Sequence, residues 1–208
     1  MPRSAIVIAN GTLPRESIVR DEIARVEFVL AADGGANQLH KLGIVPDAIL
    51  GDMDSLATPV PDGVELIPAP DQDRTDLDKA VAYLVDAGFD PITIIGATGD
   101  RLDHTFGALA IVARCGVRLV DDVGIALRIQ GPGDIVIAAS PGRTVSLLPC
   151  GVVCGLTTAN LKWNLHRADF SFGEQDGTSN VATGDRIEVS VRKGTVIVYL
   201  HHVVGAAP

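Results

Sequence analysis

The segment Phe28-Val-Leu-Ala-Ala-Asp-Gly-Gly-Ala-Asn37 joins a short apolar run to an aspartate and two glycines. An uninterrupted run of five apolar residues is typical of a strand that is covered on both faces, as in a parallel sheet. In open parallel sheets, ligands bind beyond the carboxyl ends of the strands, which is where the Asp-Gly-Gly turn falls. This segment therefore predicts a strand of an α/β sheet that ends at a ligand site.

Similar apolar runs recur before residue 124, at residues 5–9, 48–50, 64–67, 92–95 and 117–120. Between two of them, apolar residues follow the spacing of one helix face, which predicts a helix from residue 76 to about residue 87. The residues of that face are Leu77, Ala80, Val81, Leu84 and Val85. Strands alternating with helices indicate a Rossmann-like α/β domain with a mostly parallel sheet, which we assign to residues 1–124.

The helical spacing disappears after about residue 124. Short apolar stretches separated by Gly, Pro and Asn take its place, at residues 125–129, 135–138, 144–148, 186–191 and 195–200. This pattern is typical of antiparallel strands in a sandwich or a barrel. We predict a second, all-β domain over residues 125–208.

The chain is acidic, with 17 Lys and Arg against 26 Asp and Glu and a net charge of −9. Nucleic acids and anionic membranes attract clusters of Lys and Arg, so neither is expected as a partner. The apolar run at residues 5–9 is too short for a secretory signal, and no later stretch approaches the roughly 20 residues of a membrane span. We therefore expect a cytoplasmic protein.

Aspartates follow several of the predicted strands. Asp33 follows one strand, Asp52 and Asp54 follow the next, and Asp76 and Asp103 come after two others. Asp52 and Asp54 are two residues apart, so their side chains share a face in extended backbone, and Mg²⁺ prefers such oxygen ligands. A solvated turn is the alternative for Asp-x-Asp alone. Repeated aspartates at one sheet edge favour a cation site, because clustered negative charge is otherwise unfavourable.

Phosphate groups have candidate partners in the same region. Arg101 lies in the glycine-rich loop after the strand at 92–95, and its guanidinium suits phosphate oxygens. Backbone amides of glycines could add to this site, although the chain contains no P-loop motif. The glycines concerned are Gly34, Gly35, Gly96 and Gly99. His104 is either a phosphate or substrate contact or an ordinary residue at a helix start.

Two aspartates of the chain, Asp78 and Asp103, have possible helix-capping roles. Thr75 and Asp78 match a capping box at the start of the predicted helix, so Asp78 is assigned a structural role. Asp103 could serve as the N-cap of a second helix that contains Phe106 and Leu109. Capping and ligand binding are compatible at the same residue.

The only tryptophan of the chain, Trp163, lies between Lys162 and Asn164 in a polar, turn-prone segment. A single tryptophan is commonly a core residue. Its polar neighbours favour the alternative of an aromatic platform for a cationic heterocycle.

Taken together, these segments resemble the thiamine pyrophosphokinase family. The matching segments are 32–37, 51–55, 71–76, 96–104, 161–164 and 178–180, in the family's order. The resemblance implies an ATP- and Mg²⁺-binding catalytic domain at 1–124 and a thiamine-binding β-sandwich at 125–208. It also implies a homodimer with active sites between subunits. The implied reaction transfers the pyrophosphoryl group of ATP to the hydroxyethyl oxygen of thiamine, giving thiamine diphosphate and AMP.

The resemblance also implies residue roles. The metal ligands are Asp52, Asp54 and Asp76, which with Arg101 and Asp103 form the catalytic set. The nucleotide contacts are Asp33, Gly34, Gly35, Asn37, Gly99, Arg101 and His104. The thiamine contacts are Gln72, Asp103, Trp163, Ser179 and Asn180, with Trp163 reaching in from the partner subunit. The acceptor of the hydroxyl proton stays open between Asp103 and an aspartate at the metal.

Two positions depart from the family pattern. Asn160 stands where the family often has Gly, which is tolerable if the backbone there is left-handed. Gly177 replaces a frequent Ser, which removes one hydroxyl.

Competing hypotheses fall into three classes. The same aspartates could serve a pyrophosphokinase for another heterocyclic alcohol, such as a pterin. They could also serve a sugar transferase or phosphohydrolase that uses Asp-x-Asp, or a nonenzymatic sensor of thiamine or nucleotide. The products formed from ATP, Mg²⁺ and thiamine distinguish these classes.

Overall fold

A computed structural model of the chain describes residues 3–175 and 177–203. The chain divides into two compact units. The first contains the described residues up to Ile111 together with Val117–Asp122, and the second contains Val112–Gly116 and the described residues from Val123 onward. Within the described ranges, no helix has the length and apolar character needed to cross a bilayer.

The first unit alternates strands and helices. Its elements are β1 (Arg3–Ile8), α1 (Glu16–Ile23), β2 (Phe28–Ala32), α2 (Gly35–Lys41), β3 (Ala48–Gly51), β4 (Glu65–Pro68), α3 (Asp76–Asp86), β5 (Phe89–Ile95) and β6 (Arg118–Val120), together with the part of α4 (Leu102–Cys115) up to Ile111. The strands lie in the order β6-β5-β1-β2-β3-β4, and neighbours are parallel. The predicted parallel sheet is confirmed.

The core of this unit lies on the central strands. Ile6, Leu30, Ile49 and Ile94 are at most 1% exposed, as expected for apolar runs covered on both faces. Strand β4 differs, because Leu66 is 47% exposed and Glu65 faces solvent. The prediction that 64–67 is covered on both faces is therefore wrong. As the edge strand, β4 pairs only with β3 and starts with a charged residue.

The helix predicted from residue 76 is α3. Thr75 is its N-cap, and its hydroxyl accepts the Asp78 N–H at 3.3 Å, as the capping motif predicts. Ala80, Val81 and Leu84 are buried. The helix thus packs by the apolar face seen in the sequence, and its first residue, Asp76, lies at the carboxyl edge of the sheet.

The second unit is antiparallel. Its strands are β7 (Gly124–Ala138), β8 (Thr144–Pro149), β9 (Val152–Ala159), β10 (Ala168–Ser171), β11 (Asn180–Val181) and β12 (Arg186–His201). One edge of β12 pairs with β7, and its other edge is shared between β9 and β8. Strand β10 pairs with β9, and β11 pairs with β8. A buried apolar cluster that includes Val145, Leu156, Ile187 and Val198 forms the core.

The strands β7 and β12 are longer than predicted. The sequence predicted a break in each, at Gly131-Pro132-Gly133 and near Gly194, but each strand continues through its break. Gly131 and Gly194 are opposite one another, next to a register shift between Val191 and Gly194. The glycines at these positions therefore belong to an irregularity in the pairing of β7 with β12, and they do not form turns. Strands β9, β10 and β11 were not predicted.

A buried carboxylate ties α1 to the sheet in the first unit. The Glu22 side chain is 5% exposed and pairs with Arg25 at 2.8 Å and with Arg118 at 3.2 Å. Arg118 also donates to the Thr93 hydroxyl at 3.3 Å. A buried charge is tolerated only when it is paired and hydrogen-bonded, and Glu22 meets both conditions.

Replacing Glu22 with Ala is expected to lower the free energy of unfolding by about 2 to 3 kcal/mol, since both arginines lose a buried partner while keeping access to solvent. The matched control is Glu16→Ala, which removes an exposed pair with Arg20 and should cost less than about 1 kcal/mol. Urea unfolding measures both. Equal losses would contradict the anchoring role of Glu22.

Candidate functional site

Asp33 lies immediately after β2 and is 3% exposed. Its backbone is left-handed, with φ of 42°, and its N–H donates to the Leu50 carbonyl at 2.8 Å. Oδ2 accepts the Ser55 N–H at 3.2 Å, whereas Oδ1 is buried without a hydrogen-bond partner among the described residues. Burial raises the pKa of this carboxyl group. A strained, desolvated carboxylate with one uncommitted oxygen is typical of a functional site.

Asp52 follows β3 and is exposed. Its Oδ2 accepts the Gln72 amide at 3.0 Å, and its Oδ1 accepts the Asp54 N–H at 3.3 Å. These two hydrogen bonds, the one from Gln72 first, lower the Asp52 pKa. Met53, between the two aspartates, has φ of 68°. This left-handed residue interrupts the extended backbone in which Asp52 and Asp54 would share a face. Asp54 Oδ1 accepts the Ser55 hydroxyl at 2.9 Å.

Asp76 is the first residue of α3, where the helix dipole favours a negative charge. Its Oδ1 is buried and lies 2.6 Å from the Nζ of Lys79, in an ion pair without hydrogen-bond alignment. Lys79 is 7% exposed and donates to the carbonyls of Ala69 at 2.8 Å and Asp71 at 2.9 Å. One ammonium thus holds the 69–71 loop and a site carboxylate together.

Sequence reasoning missed Lys79. The available signal was its position three residues after Asp76, directly before Ala80 and Val81 on the apolar face of the helix. A lysine there must find oxygen partners, because an unpaired buried charge is strongly unfavourable.

Three carboxylates meet at this edge of the sheet. Oxygens of Asp33, Asp52 and Asp76 all lie within 4.8 Å of one another. Asp33, predicted beside the nucleotide phosphates, lies in this group, whereas the metal ligands implied by the family resemblance are Asp52, Asp54 and Asp76. Three hard oxygen donors fit a divalent cation such as Mg²⁺, and Asp33 has one oxygen, Oδ1, to which no described residue donates a hydrogen bond.

Close backbone packing surrounds the cluster. A Cβ on Gly35 would lie 2.1 Å from the Ile8 carbonyl oxygen, and one on Gly51 would lie 2.7 Å from the Asp33 Cβ. A Cβ on Gly34 would overlap the side chain of Asn10 at 2.3 Å. Only glycine lets β1, β2 and β3 end this close together. Asn10, which lies over Gly34, was not predicted as a site residue.

The glycine loop after β5 packs against the segment after β1. Gly99 has φ of 99°, and a Cβ there would lie 3.0 Å from the Thr12 side chain. The Thr12 hydroxyl donates to Asp100, and the Gly11 N–H donates to the Gly96 carbonyl at 2.7 Å. These contacts fix the loop that carries Arg101.

Arg101 and Asp103 form an exposed bidentate pair. Arg101 Nε donates to Asp103 Oδ1 at 3.1 Å, and Nη2 donates to Oδ2 at 2.5 Å. The guanidinium lowers the pKa of Asp103 to about 2. Asp103 is the second residue of α4, which begins at Leu102, so the prediction that it is the N-cap is wrong. Its Oδ1 also accepts the His104 N–H at 3.0 Å.

The Asn37 side chain lies on α2 and bonds to a neighbouring loop. Its amide donates to the Ser55 carbonyl at 2.7 Å and accepts from the Ala57 N–H at 2.9 Å and the Thr58 hydroxyl at 3.1 Å. The side chain predicted as a nucleotide contact thus holds the loop that follows Asp54.

The remaining predicted residues lie in the second unit. Trp163 is 56% exposed, with Lys162 Nζ 4.5 Å from its ring centroid. Ser179 has φ of 60° and donates its N–H to the Ser146 hydroxyl at 3.2 Å. Asn180 is 8% exposed and bonds to the backbone of Trp163. The alternative of a core tryptophan is wrong, because most of the ring faces solvent.

The structure accounts for both departures from the family pattern. Asn160 has φ of 62°, which confirms that this position is left-handed. A Cβ on Gly177 would lie 2.2 Å from the Leu147 carbonyl oxygen. Gly177 is therefore required by the local packing, and a serine there would displace β8.

Two family models match the chain. The model described as "Thiamin pyrophosphokinase, catalytic domain" matches residues 19–121, and "Thiamin pyrophosphokinase, vitamin B1 binding domain" matches residues 134–196. "Thiamine pyrophosphokinase 1" of Arabidopsis thaliana is 34% identical over 90% of this chain and 82% of its own length. "Thiamine pyrophosphokinase 1" of Oryza sativa subsp. japonica is 30% identical over 89% of this chain and 83% of its own.

Solved structures share the fold. The thiamine pyrophosphokinase from Bacillus subtilis has a TM-score of 0.81 at 24% identity, covering 97% of this chain and 100% of that one. The thiamin pyrophosphokinase from Geobacillus thermodenitrificans has a TM-score of 0.83 at 23% identity, covering 98% and 99%.

Replacing Asp33 with Asn should stabilise the protein without divalent cation, because it removes one of three like charges within 4.8 Å. We expect a gain of the order of 1 kcal/mol, since like charges about 5 Å apart repel by about 3 kcal/mol at an effective dielectric of 20 and Lys79 offsets part of this. The same variant should lose the stabilisation that Mg²⁺ gives the wild type. Urea unfolding with EDTA and with Mg²⁺ measures both effects.

The gain should depend on pH. The folded-state pKa of Asp33 is raised, so ionising this group costs stability. The two proteins should be equally stable below about pH 3.9, where Asp33 is neutral in both states. The advantage of Asn should grow above that pH and level off above the raised pKa. The exposed control Asp62→Asn should show neither effect, and a less stable Asp33→Asn protein would contradict the repulsion argument.

Proposed function

This chain belongs to the thiamine pyrophosphokinase family, and we propose that it transfers the pyrophosphoryl group of ATP to the hydroxyethyl oxygen of thiamine. The products are thiamine diphosphate and AMP, which makes the protein a transferase. The names of its relatives support thiamine over the competing pterin and sensor hypotheses.

The observation that carries the catalytic part of this proposal is the meeting of Asp33, Asp52 and Asp76 at the carboxyl edge of the parallel sheet. We propose that these residues hold Mg²⁺, with Asp54 as the alternative ligand that the family resemblance implies. A bound Mg²⁺ neutralises and orients the phosphate oxygens of ATP. The uncommitted Oδ1 of Asp33 supports its inclusion.

The chain's own residues would then position the reactants. The thiamine hydroxyl oxygen attacks the β-phosphorus of ATP, the bond from that phosphorus to the AMP oxygen breaks, and the hydroxyl proton is lost to a base. Arg101 supplies a fixed positive fork for the phosphate oxygens. While paired with Arg101, Asp103 has a pKa of about 2 and is a weak base. Phosphate that displaces it from Arg101 would raise that pKa and free Asp103 for thiamine or its proton.

Thiamine is a cation, and Trp163 is the proposed platform for it. The ring is largely exposed and already has the Lys162 ammonium 4.5 Å from its centroid. An aromatic face that attracts one cation in this way suits another. Gln72, Asp103 and Ser179 remain the proposed polar contacts.

We assign ATP and Mg²⁺ binding to residues 1–124 and thiamine binding to residues 125–208. We propose that the second domain is a β-sandwich, which the sharing of one β12 edge between β8 and β9 supports. The family resemblance further supports a homodimer with active sites between subunits, with Trp163 acting on the partner's site. The cytoplasmic location stays a prediction from sequence.

Incubation of the protein with ATP, Mg²⁺ and thiamine tests the function. We expect equal amounts of AMP and thiamine diphosphate, measured by chromatography. Release of inorganic phosphate instead would support a hydrolase. Tight thiamine binding without product would support a sensor. Turnover of a pterin alcohol but not of thiamine would support a pyrophosphokinase for that alcohol.

Replacing Asp52 or Asp76 with Asn should lower kcat/KM by roughly 100-fold or more, because each change removes a charge that acts on the transferring group. The exposed control Asp73→Asn should be nearly neutral. Asp33→Asn and Asp54→Asn separate the two ligand sets. Loss of activity in Asp33→Asn with a small effect in Asp54→Asn supports the clustered trio, and the reverse supports the set implied by the resemblance.

A further inference from the structure

The position of the Trp163 ring depends mainly on its backbone. A core aromatic residue is oriented by side chains packed around it, but Trp163 is 56% exposed. Lys162, the ring's cationic neighbour, is itself exposed and flexible. Whatever fixes the backbone of residue 163 therefore fixes the direction in which the ring is presented.

One buried side chain holds both polar backbone groups of Trp163. Asn180 Oδ1 accepts the Trp163 N–H at 3.2 Å, and Asn180 Nδ2 donates to the Trp163 carbonyl at 2.8 Å. Oδ1 also accepts the Val181 N–H at 2.8 Å. The two N–H donors and the single carbonyl acceptor define which end of the amide is oxygen. Asn180 is 8% exposed, and its hydrogen bonds to Trp163 are partly buried.

Strand pairing and further hydrogen bonds hold the backbone around Asn180 and Trp163. Asn180 lies on β11, which pairs with β8, and the Val181 carbonyl accepts the Lys162 N–H at 2.8 Å. On the other side of the turn, Asn164 Oδ1 accepts the Leu161 N–H at 3.1 Å. The turn that carries Trp163 is thus held from both sides, and Asn180 is the member that bonds to residue 163 itself.

We propose that Asn180 is a positioning residue, which orients the Trp163 ring for a cationic aromatic ligand and does not bind that ligand itself. This inference rests on the proposed function, in which the ligand is thiamine. It changes the role implied by the family resemblance, which makes Asn180 a direct thiamine contact. The difference is measurable, because a positioning residue affects Trp163 before any ligand is present.

Fluorescence gives the first test, since Trp163 is the only tryptophan in the chain. Asn180→Asp keeps the acceptor oxygen and replaces the amide donor by an oxygen that repels the Trp163 carbonyl. In the ligand-free protein, we expect altered emission, lower anisotropy and stronger quenching by iodide. Emission, anisotropy and quenching identical to the wild type would overturn the proposal.

Thiamine affinity, measured by equilibrium dialysis, should fall roughly 3- to 30-fold in Asn180→Asp, the range expected for a misplaced cation–π contact. KM for thiamine should rise while KM for MgATP stays unchanged. Unfolding midpoints verify that the second unit remains folded. If Asn180→Asp does not fold, Asn180→Ser replaces it in every measurement, because serine keeps an oxygen acceptor at smaller size.

A double-mutant cycle with Trp163→Ala distinguishes positioning from contact. If Asn180 acts through the ring, then Asn180→Asp should cause no further loss of thiamine affinity once the ring is absent. Losses that multiply would show an independent contact and overturn the proposal.

Failure of the proposed function has a separate signature. In that case the wild type would neither bind thiamine in dialysis nor form thiamine diphosphate, and thiamine would leave its emission unchanged. The ligand-free fluorescence of Asn180→Asp would still decide whether Asn180 orients the ring.

Discussion

The mutual repulsion of Asp33, Asp52 and Asp76 is the constraint around which the first unit is organised. A parallel sheet brings the carboxyl ends of its strands to one edge, so residues distant in sequence meet there without any local preference for one another. Three carboxylates with oxygens within 4.8 Å of one another destabilise the folded state unless positive charges or hydrogen-bond donors compensate them. Under the proposed function, a bound cation and its phosphate ligand would offset this repulsion, so that stability without the cation and function would be opposed at this edge.

The chain's own cationic and hydrogen-bond donor groups compensate only part of this negative charge. Lys79 places a buried ammonium 2.6 Å from Asp76, and Gln72 donates a hydrogen bond to Asp52. Asp33 receives the Ser55 N–H but keeps one oxygen uncommitted. One ammonium against three carboxylates leaves a surplus near two negative charges, which matches a divalent cation.

Much of this arrangement could be predicted from sequence, because its causes are periodic or local. Uninterrupted apolar runs identified β2 and its neighbours, and the Thr75 cap located the start of α3. The grouping of Asp33 with Asp52 and Asp76 could not be foreseen, since it depends on the left-handed backbone at Met53 and on the approach of Gly51 to Asp33. The continuity of β7 and β12 was missed for a similar reason. A glycine in the sequence suggests a turn, and only the cross-strand pairing, here Gly131 opposite Gly194, shows that the strand continues.

Motif membership also leaves open whether a polar residue touches the ligand or supports a residue that does. Asn37 and Asn180 both lie in segments matched to the family. The side-chain amide of each forms hydrogen bonds with backbone groups of a neighbouring segment. Amide side chains suit this role, because one side chain can bond to a backbone N–H and a backbone carbonyl at once. Charged residues such as Arg101 remain exposed, where their partners can be exchanged for substrate. The hydrogen bonds that Asn37 and Asn180 already make therefore favour a supporting role for both residues, whereas the exposed partner of Arg101 can be exchanged.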